Sequence, residues 1–454
     1  MPGSDLLVGL DVGTTGSKAV AFDIAGRAVS SGRADTPWVH IAGDGDTPPG
    51  TELDAHALLR TAATAVAQAL DGAPDGRVVG LGVTSMAESG VLLDGRGEPV
   101  APVVAWHDSR DQPEVDRLAH DLGAATFNTT TGLPLRSQWS LTKHRRQLET
   151  EPAAATAVRR LNIAEWVVRG LGGDEASDAS LASRTGWLDL AARDWWPDAV
   201  NWSGADTGLF APLVTSGTAL GRAGADCGVA RLVGAVLTTA GHDHQAAALG
   251  AQAAAPDDQL DSCGTAEALV RTVPAGLSAT GVAALAAGGV TVGWHVLPER
   301  WALLGVTEGG LVLQRVLSML GGRDHLSDLD AGSAALTTTA GLHVTLDGSS
   351  RVTVRDIGDG ITPAHVWLAA LAETTEQMAA INAAMSAVVG PHRRMVVTGG
   401  WSRSAGVMAH KAQAFGELTP SSVEEAGARG AALLAGLAAG VYASRDELPL
   451  LVAQ

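Results

Sequence analysis

The sequence predicts an α/β protein, and three observations support this prediction. Strand-like runs such as "LLVGLDV", "KAVAFDI" and "VVGLGVT" alternate with helical stretches such as "LDAHALLRTAATAVAQAL", in which apolar residues recur every three or four positions. Glycine-rich turns follow strands in both halves of the chain. The length of 454 residues exceeds the size at which a single core usually stops growing, so we expect two domains.

The alternation is less regular between about residues 110 and 210, where "RDWW" and "NWSG" predict loops and turns. The order strand, glycine turn, helix returns at "VGAVLTTAGHDHQAAALGA" and again at "RMVVTGGWSRSAGVMAHKAQAFG". Ligands of open α/β sheets bind at the carboxyl ends of the strands. Glycine-rich turns in both halves therefore predict a nucleotide held between two domains.

Composition and charge exclude several classes of protein. The chain is 46% hydrophobic and 18% charged, which indicates a packed globular protein, and its net charge of −18 argues against nucleic acid or an anionic membrane as a partner. The apolar run "AALLAGLAAGVYA" is too short to span a bilayer, and "MPGSD" lacks the features of a signal peptide, so we expect a cytoplasmic location. Cys227 and Cys263 provide neither a disulfide framework nor metal-ligand spacing.

The stretch "DVGTTGSK" lies between two strand-like runs and predicts a hairpin that binds phosphate. Gly13 lets the backbone turn sharply and leaves no side chain to obstruct a ligand. Thr14 and Thr15 add hydroxyls beside backbone N–H groups, and Lys18 adds a cation. Asp11 would repel phosphate unless a divalent metal lay between them.

The stretch "AGHDHQAAALG" places Asp243 where a strand passes into a helix. A carboxylate in that position can accept the proton that leaves a hydroxyl as it attacks phosphorus. His242 and His244 suggest a metal site, but adjacent side chains point in different directions and no further His or Cys cluster completes a ligand set. We therefore expect His244 to contact a substrate and His242 to be structural. The chain contains neither a P-loop nor a dinucleotide-binding fingerprint.

Six motifs occur in order over almost the full length of the chain: "DVGTTGSKAVAFD", "TSMAESGVLLD", "PVVAWHDSR", "TTAGHDHQAAALGA", "DSCGTAEALV" and "VTGGWSRSAGVMAHKAQAFG". Together they resemble the FGGY carbohydrate kinases, the group that contains glycerol kinase, xylulokinase and ribulokinase. The resemblance implies two ribonuclease H-like domains of the actin-like ATPase and sugar kinase type, with an interdomain cleft. It assigns sugar and phosphate binding to residues 1–240, and the catalytic aspartate and nucleotide binding to residues 241–454. It also implies ATP and Mg²⁺ and a small sugar or polyol substrate, and it is compatible with a homodimer.

The resemblance also implies roles for individual residues. It makes Asp243 the general base and puts the metal near Asp11 and Asp243. The implied nucleotide contacts are Gly13, Thr14, Thr15, Lys18, Gly264, Thr265, Gly399, Gly400 and Arg403. The implied substrate contacts are Glu88, Trp106, Asp108, Asp243 and His244. In "ASDASLASRTGWLDL" we expect Asp178 and Ser183 to form turns and caps, with no part in catalysis.

Four residues in three motifs depart from the family pattern. Ala87 and Glu88 match neither the Arg-Glu pair of glycerol kinase nor the Met-His pair of xylulokinase, Gln138 stands where glycerol kinase has Tyr, and Trp401 replaces a small residue. These departures weaken an assignment to glycerol, and we expect phosphorylation of a small ketose or polyol. The alternatives are an actin-like or chaperone-type ATPase, which needs no sugar for turnover, and a sugar-sensing pseudokinase.

Overall fold

The computed structural model describes residues 5–45, 47–346 and 351–450. The strands are β1 (Leu6–Val12), β2 (Gly16–Asp23), β3 (Ala28–Asp35), β4 (Val39–Ile41), β5 (Gly50–Leu53), β6 (Val78–Ser85), β7 (Gly90–Leu93), β8 (Val103–Val104), β9 (Arg159–Asn162), β10 (Ser177–Asp178), β11 (Leu188–Asp189), β12 (Asp194–Trp195), β13 (Leu213–Val214), β14 (Val236–His242), β15 (Asp258–Cys263), β16 (Glu267–Pro274), β17 (Thr291–Trp294), β18 (Arg300–Thr307), β19 (His343–Leu346), β20 (Val352–Arg355), β21 (Arg394–Thr398) and β22 (Leu418–Pro420).

The helices are α1 (Ala55–Asp71), α2 (Gln112–Leu118), α3 (Ala124–Thr131), α4 (Ser140–Thr150), α5 (Ile163–Gly170), α6 (Ala179–Ala182), α7 (Pro197–Trp202), α8 (Asp243–Gly250), α9 (Ala279–Ala287), α10 (Gly309–Met319), α11 (Leu326–Ala334), α12 (Pro363–Val389), α13 (Ala405–Phe415) and α14 (Ala426–Ala438). In the part of the chain that the structure describes, no helix is both long and apolar enough to cross a lipid bilayer.

Two large mixed sheets are built on the same plan. In the first, of order β14-β6-β1-β2-β3, the three antiparallel strands β1, β2 and β3 are extended by β6 and β14, which run parallel to β1. In the second, of order β17-β18-β16-β15-β21-β22, an antiparallel set is likewise extended by two parallel strands, β21 and β22. The predicted α/β class is confirmed, and β1 and β2 form the predicted hairpin.

Helices α8 and α14 lie between the two sheets. One apolar core combines Leu7 and Phe22 of the first sheet, Leu260 of the second, Leu249 of α8 and Leu434 of α14. Apolar burial of this kind is the main favourable contribution to folding, and here it joins distant parts of the chain.

Glycines allow α14 to approach its neighbours at backbone distance. A Cβ at Gly9 of β1 would lie 1.7 Å from the carbonyl oxygen of Ala428, and a Cβ at Gly430 would lie 1.9 Å from that of Ala246 in α8. Such distances leave no room for a side chain. The small residues near the C-terminus of the chain therefore serve this packing.

The segment between residues 110 and 210 is more regular than its sequence pattern predicts. It contains the helices α2 to α7. The two stretches expected to be loops and turns are only partly so, because Asp194 and Trp195 of "RDWW" form β12 and Asn201 and Trp202 of "NWSG" end α7. Phe127, Trp139, Trp187 and Trp196 form a separate buried core there. The aromatic side chains pack against one another between short helices, and so the apolar periodicity of a long helix is missing from the sequence.

Candidate active site

The turn between β1 and β2 accepts hydrogen bonds from the indole N–H groups of two tryptophans, Trp38 and Trp106. Gly13 N–H donates to the carbonyl oxygen of Gly16 at 3.0 Å, which closes the turn. Trp38 Nε1 donates to the Thr14 carbonyl oxygen at 2.6 Å, and Trp106 Nε1 donates to the Thr14 hydroxyl at 2.9 Å. Trp106, which was expected to contact a substrate, orients the turn between β1 and β2 in this structure.

Asp11 stands just before this turn, at the end of β1, with an unsatisfied carboxylate. Its Oδ1 is buried and has no hydrogen-bond partner. A Cβ at Gly427, in the first turn of α14, would lie 2.5 Å from its Oδ2. The pKa of Asp11 is raised to about 8, mainly by burial and also by the charge of Asp243, whereas Lys18 lowers it. The site therefore favours the protonated carboxyl when no cation is near.

Lys18 forms an ion pair across the molecule. Its Nζ lies 3.1 Å from Oε2 of Glu425, the residue that precedes α14. Both side chains are more than one-third exposed, so the pair contributes little to stability. A phosphate group entering the turn would compete with Glu425 for the ammonium group.

Asp243 begins α8 directly after β14, and one of its carboxylate oxygens, Oδ1, is contacted by both neighbouring histidines. The His244 N–H donates to Oδ1 at 2.7 Å, and His242 Nε2 lies 3.2 Å from the same oxygen. Burial raises the pKa of Asp243 to about 7; the His244 N–H lowers it, Glu88 raises it and Arg184 lowers it. The charge of Asp243, at the start of α8, thus raises the pKa of Asp11, near the end of β1.

The two flanking histidines are neutral at pH 7. Burial lowers the pKa of His244 to about 4, and it lowers the pKa of His242 well below its usual range, with Arg184 adding to both effects. Their rings meet edge to face, with centroids 5.4 Å apart. Within the described residues, these histidines belong to no group of three or more side chains that could share a metal.

Glu88, whose charge acts on Asp243, has a left-handed backbone conformation with φ of 67°. Such a conformation is costly for a residue other than glycine and persists where the surroundings enforce it. Arg184 Nη2 lies 2.7 Å from Glu88 Oε1, and Gln138 Nε2 donates to the same oxygen at 3.2 Å. Arg184 Nη1 also donates to the Thr291 hydroxyl at 2.5 Å. The Glu88 carboxylate is thus buried and fixed by a cation.

Asp108 is held in a separate cluster. Its carboxylate accepts from Arg110 Nη2 at 2.7 Å and from the Thr51 N–H at 2.8 Å, and Arg110 also pairs with Glu52 at 2.6 Å. Burial tends to raise the pKa of Asp108, but these hydrogen bonds outweigh it and the pKa is lowered. The contacts of the Asp108 carboxylate lead to Thr51 and Arg110, and none joins it to Asp243.

The second glycine turn, Gly264–Thr265, joins β15 to β16. A Cβ at Gly310, at the start of α10, would lie 1.7 Å from the Gly264 carbonyl oxygen. A Cβ at Gly399, whose φ is 92°, would lie 2.4 Å from the Cys263 carbonyl oxygen. The turn is therefore enclosed by backbone on two sides, and the Thr265 side chain remains exposed.

The segment after β21 combines an open glycine with a packed tryptophan. Gly400 is exposed, and a Cβ there would meet no atom within 4 Å. Trp401 is buried, with its ring centroid 6.1 Å from that of Trp367. Arg403 is exposed and lies 3.3 Å from Glu424. Gly399 and Gly400 thus leave backbone accessible beside the Gly264–Thr265 turn.

A buried lysine joins the two strands that carry this turn. Lys411 Nζ of α13 lies 2.5 Å from Oδ2 of Asp261 in β15 and also contacts Glu267 in β16. Asp261, Cys263 and Glu267 could together offer three ligand atoms to a metal, but the Lys411 ammonium group already contacts both carboxylates and offsets part of their charge. Burial raises the pKa of the Cys263 thiol well above its usual range, so this cysteine is not a reactive thiolate.

The structure thus brings Asp11, Asp243, Glu88 and His244 to one region. Sequence reasoning missed three residues that hold this region and the second turn in place, namely Trp38, Arg184 and Lys411. Arg184 follows Ser183 in "ASDASLASRTGWLDL", but its partner Glu88 is distant in sequence, so no local pattern marks its role. The partners of Trp38 and Lys411 are distant in sequence, so no local pattern marks them.

Comparison with known families decides the class of this site. Residues 6–250 match the N-terminal domain of the FGGY family of carbohydrate kinases, and residues 324–439 match its C-terminal domain. The chain belongs to the FGGY family of carbohydrate kinases. It is accordingly a phosphotransferase that acts on an alcohol group, and kinases of this family use ATP.

Curated relatives of this kinase include enzymes with different substrates. It is 28% identical over 478 residues to the glycerol kinase of Bordetella parapertussis, and this alignment covers 98% of this chain and 91% of the relative. It is 31% identical over 264 residues to the autoinducer-2 kinase of Photorhabdus laumondii subsp. laumondii, with 55% of this chain and 48% of the relative covered.

Solved structures confirm the fold prediction. The xylulose kinase of Rhodospirillum rubrum superimposes on the kinase with a TM-score of 0.84 at 23% identity, covering 98% of this chain and 92% of the other. The Plasmodium falciparum glycerol kinase with ADP gives 0.85 at 18% identity, covering 99% and 92%. The fold is the two-domain, actin-like and ribonuclease H-like architecture of sugar kinases.

Proposed function

We propose that this kinase transfers the γ-phosphoryl group of ATP to a hydroxyl of a small ketose or polyol, with Asp243 as the general base and Mg²⁺ near Asp11 and Asp243. One observation carries the proposal. The carboxylate of Asp243 raises the pKa of Asp11, whose buried Oδ1 has no hydrogen-bond partner, beside a turn that presents Thr14 and Thr15.

The surroundings of Asp243 suit a general base. Both of its contacts, with the His244 N–H and with His242, fall on Oδ1, which leaves Oδ2 to accept a proton from a sugar hydroxyl. Its side chain is 24% exposed, so a substrate can reach it. A pKa of about 7 lets the carboxylate accept a proton near neutral pH while remaining basic enough to be useful.

The surroundings of Asp11 fit a divalent cation. Mg²⁺ prefers oxygen ligands, and the buried Oδ1 of Asp11 has no other partner. A cation held by Asp11 and Asp243 would offset the charge repulsion that raises the pKa of Asp11. When bound, Mg²⁺ neutralises charge on the phosphates.

We assign the phosphates of ATP to the two glycine turns. The turn after Gly13, with the hydroxyls of Thr14 and Thr15, would lie on one side of the phosphates, and the Gly264–Thr265 turn would lie on the other. Lys18 would exchange Glu425 for a phosphate oxygen. The exposed backbone at Gly399 and Gly400, with Arg403 nearby, would receive the adenosine. Residues 1–240 and 241–454 would then act as the two domains.

The sugar would lie between Asp243 and Glu88. The Glu88 carboxylate can accept hydrogen bonds from adjacent hydroxyls because Arg184 and Gln138 hold only Oε1. His244 and the indole of Trp106 would flank the carbon chain. Relatives include glycerol and xylulose kinases, but Ala87 and Gln138 depart from the glycerol kinase pattern, which favours a ketose or a longer polyol.

Replacement of the base tests the proposal. Asp243→Asn should lower kcat by about two to four decades, as the loss of a general base does, while calorimetry still detects ADP binding. The matched control is Asp198→Asn, at an exposed aspartate in the first turn of α7, which should keep full activity. Full turnover by Asp243→Asn would rule out Asp243 as the base.

A further inference from the structure

We propose that Arg136 binds an anionic group at the end of the substrate remote from Asp243, so that the preferred substrate is a small polyol that carries a carboxylate, such as an aldonate. This inference rests on the function proposed above and names the substrate class of the same site. It begins with the position of Arg136, which precedes α4 in the segment that also carries Gln138.

A chain of hydrogen bonds connects Arg136 to the substrate side of the site. Its Nε donates to Gln138 Oε1 at 2.8 Å, and Gln138 Nε2 donates to Glu88 Oε1 at 3.2 Å. The charges that shift the pKa of Asp243 are those of Glu88 and Arg184, whereas Arg136 is itself influenced by these two groups. Because the sugar is proposed to lie between Asp243 and Glu88, this hydrogen-bonded chain puts Arg136 on the Glu88 side of the bound sugar.

Arg136 is a cation without an anionic partner. Its contacts among the described residues are the Gln138 side chain and the ring of Trp139, whose centroid lies 5.3 Å from its guanidinium carbon. The nearby Glu88 carboxylate is already paired with Arg184 at 2.7 Å. The single carboxylate of Glu88 thus accompanies two guanidinium groups, those of Arg184 and Arg136, so the three side chains together carry a net charge of about +1.

The surplus charge is costly to keep without a ligand. Surrounding protein lowers the pKa of Arg136 to about 10, and the like charge of Arg184 adds to the effect. The side chain is nevertheless exposed to solvent, so an anionic group can reach it. Arg184 lies against the same indole, 5.1 Å from the centroid of Trp139. An anion between the bound polyol and Arg136 would relieve this repulsion.

The chemistry of the guanidinium group favours a carboxylate. Its two terminal nitrogens form a planar fork that matches the two oxygens of a carboxylate. The chain as a whole carries a charge of −18, so its overall field disfavours an anionic substrate. A local cation at one end of the site therefore has a clear role when the substrate is an anion.

Matched pairs of acid and alcohol test the inference. The pairs are xylonate with xylitol, ribonate with ribitol, and gluconate with sorbitol. Binding of each compound would be measured by calorimetry without nucleotide, and its phosphorylation would be measured as ADP release with MgATP. The variants are Arg136→Met, which removes the charge, and Arg136→Lys, which keeps the charge and loses the fork. Arg96→Met, on an exposed turn before β8, is the matched control.

We expect one acid to exceed its alcohol in kcat/KM by about tenfold or more. Arg136→Met should reduce kcat/KM for that acid by about 10- to 100-fold, mainly through KM, and should change the alcohol little, since a hydrogen-bonded charge pair is lost. Arg136→Lys should be intermediate, and Arg96→Met should match the parent protein. Equal losses for acid and alcohol would reveal a merely structural arginine and overturn the inference.

The two readouts separate this inference from the proposed function. Phosphorylation of alcohols without binding of any acid would overturn the inference and leave the kinase function intact. Binding of an acid that Arg136→Met abolishes, without ADP release from any compound, would support Arg136 as an anion-binding residue and contradict the proposed phosphoryl transfer.

Discussion

At the scale of single residues, Asp11 and Asp243 are kept in surroundings that oppose their charge. The pKa of Asp11 is raised to about 8 and that of Asp243 to about 7, in each case mainly by burial. Strongly shifted carboxyls cluster at functional sites, where burial and neighbouring charges set the proton affinity that the chemistry needs. The proposed cation and the proposed proton transfer give both carboxyls a role.

Activity should depend on pH through Asp243. The carboxylate accepts a proton only when it is ionised, so kcat/KM should fall by about tenfold per pH unit below pH 7 and level off above it. A pH profile of kcat/KM with sugar as the varied substrate measures this. A profile that stays flat from pH 5 to pH 8 would contradict the assignment.

At the scale of elements, the hairpin of β15 and β16 depends on Lys411 of α13. The Gly264–Thr265 turn closes this hairpin, and the Asp261 and Glu267 carboxylates lie on its two strands. The same ammonium group contacts both. Lys411 therefore fixes the base of the proposed phosphate-binding turn from the segment that follows Gly399 and Gly400.

Lys411→Met should destabilise the protein strongly. The variant leaves two buried carboxylates without their cation, so urea denaturation should show a loss of about 3–5 kcal/mol. Adding Glu267→Gln to this variant should restore part of the loss, because one of the two unpaired charges is removed. Arg77→Met, which breaks an exposed pair with Asp5, serves as the control and should change little. A Lys411→Met variant as stable as the parent would show that this cluster is dispensable.

At the scale of the whole molecule, the site depends on segments that are hundreds of residues apart. Asp11 ends β1, Asp243 begins α8, and Gly427 in the first turn of α14 packs on Asp11. Because α8 and α14 also share a core with both sheets, the packing between the two halves positions the two carboxylates. Motion of one sheet relative to the other would therefore change the site directly.

Much of this arrangement could be predicted from the sequence, since ordered motifs mark strand ends. Asp178 is the predicted cap, accepting from the Ser180 N–H at 2.9 Å, and Ser183 Oγ donates to the Ala179 carbonyl oxygen at 2.7 Å. Arg184 and Lys411 could not be placed, because burial with a distant carboxylate leaves no periodic or local signal. The helices between residues 110 and 210 were missed because mutual aromatic packing replaces an amphipathic pattern.

The most direct test of the central claim is ADP release from ATP and Mg²⁺, measured with and without a panel of pentuloses, hexuloses, tetritols, pentitols and glycerol, together with the sugar acids. Strong stimulation by one class, lost in Asp243→Asn, is the result we predict, because the two carboxylates and Glu88 are arranged for a bound hydroxyl. Steady ATP hydrolysis at the same rate with every compound would contradict the claim and favour an actin-like ATPase.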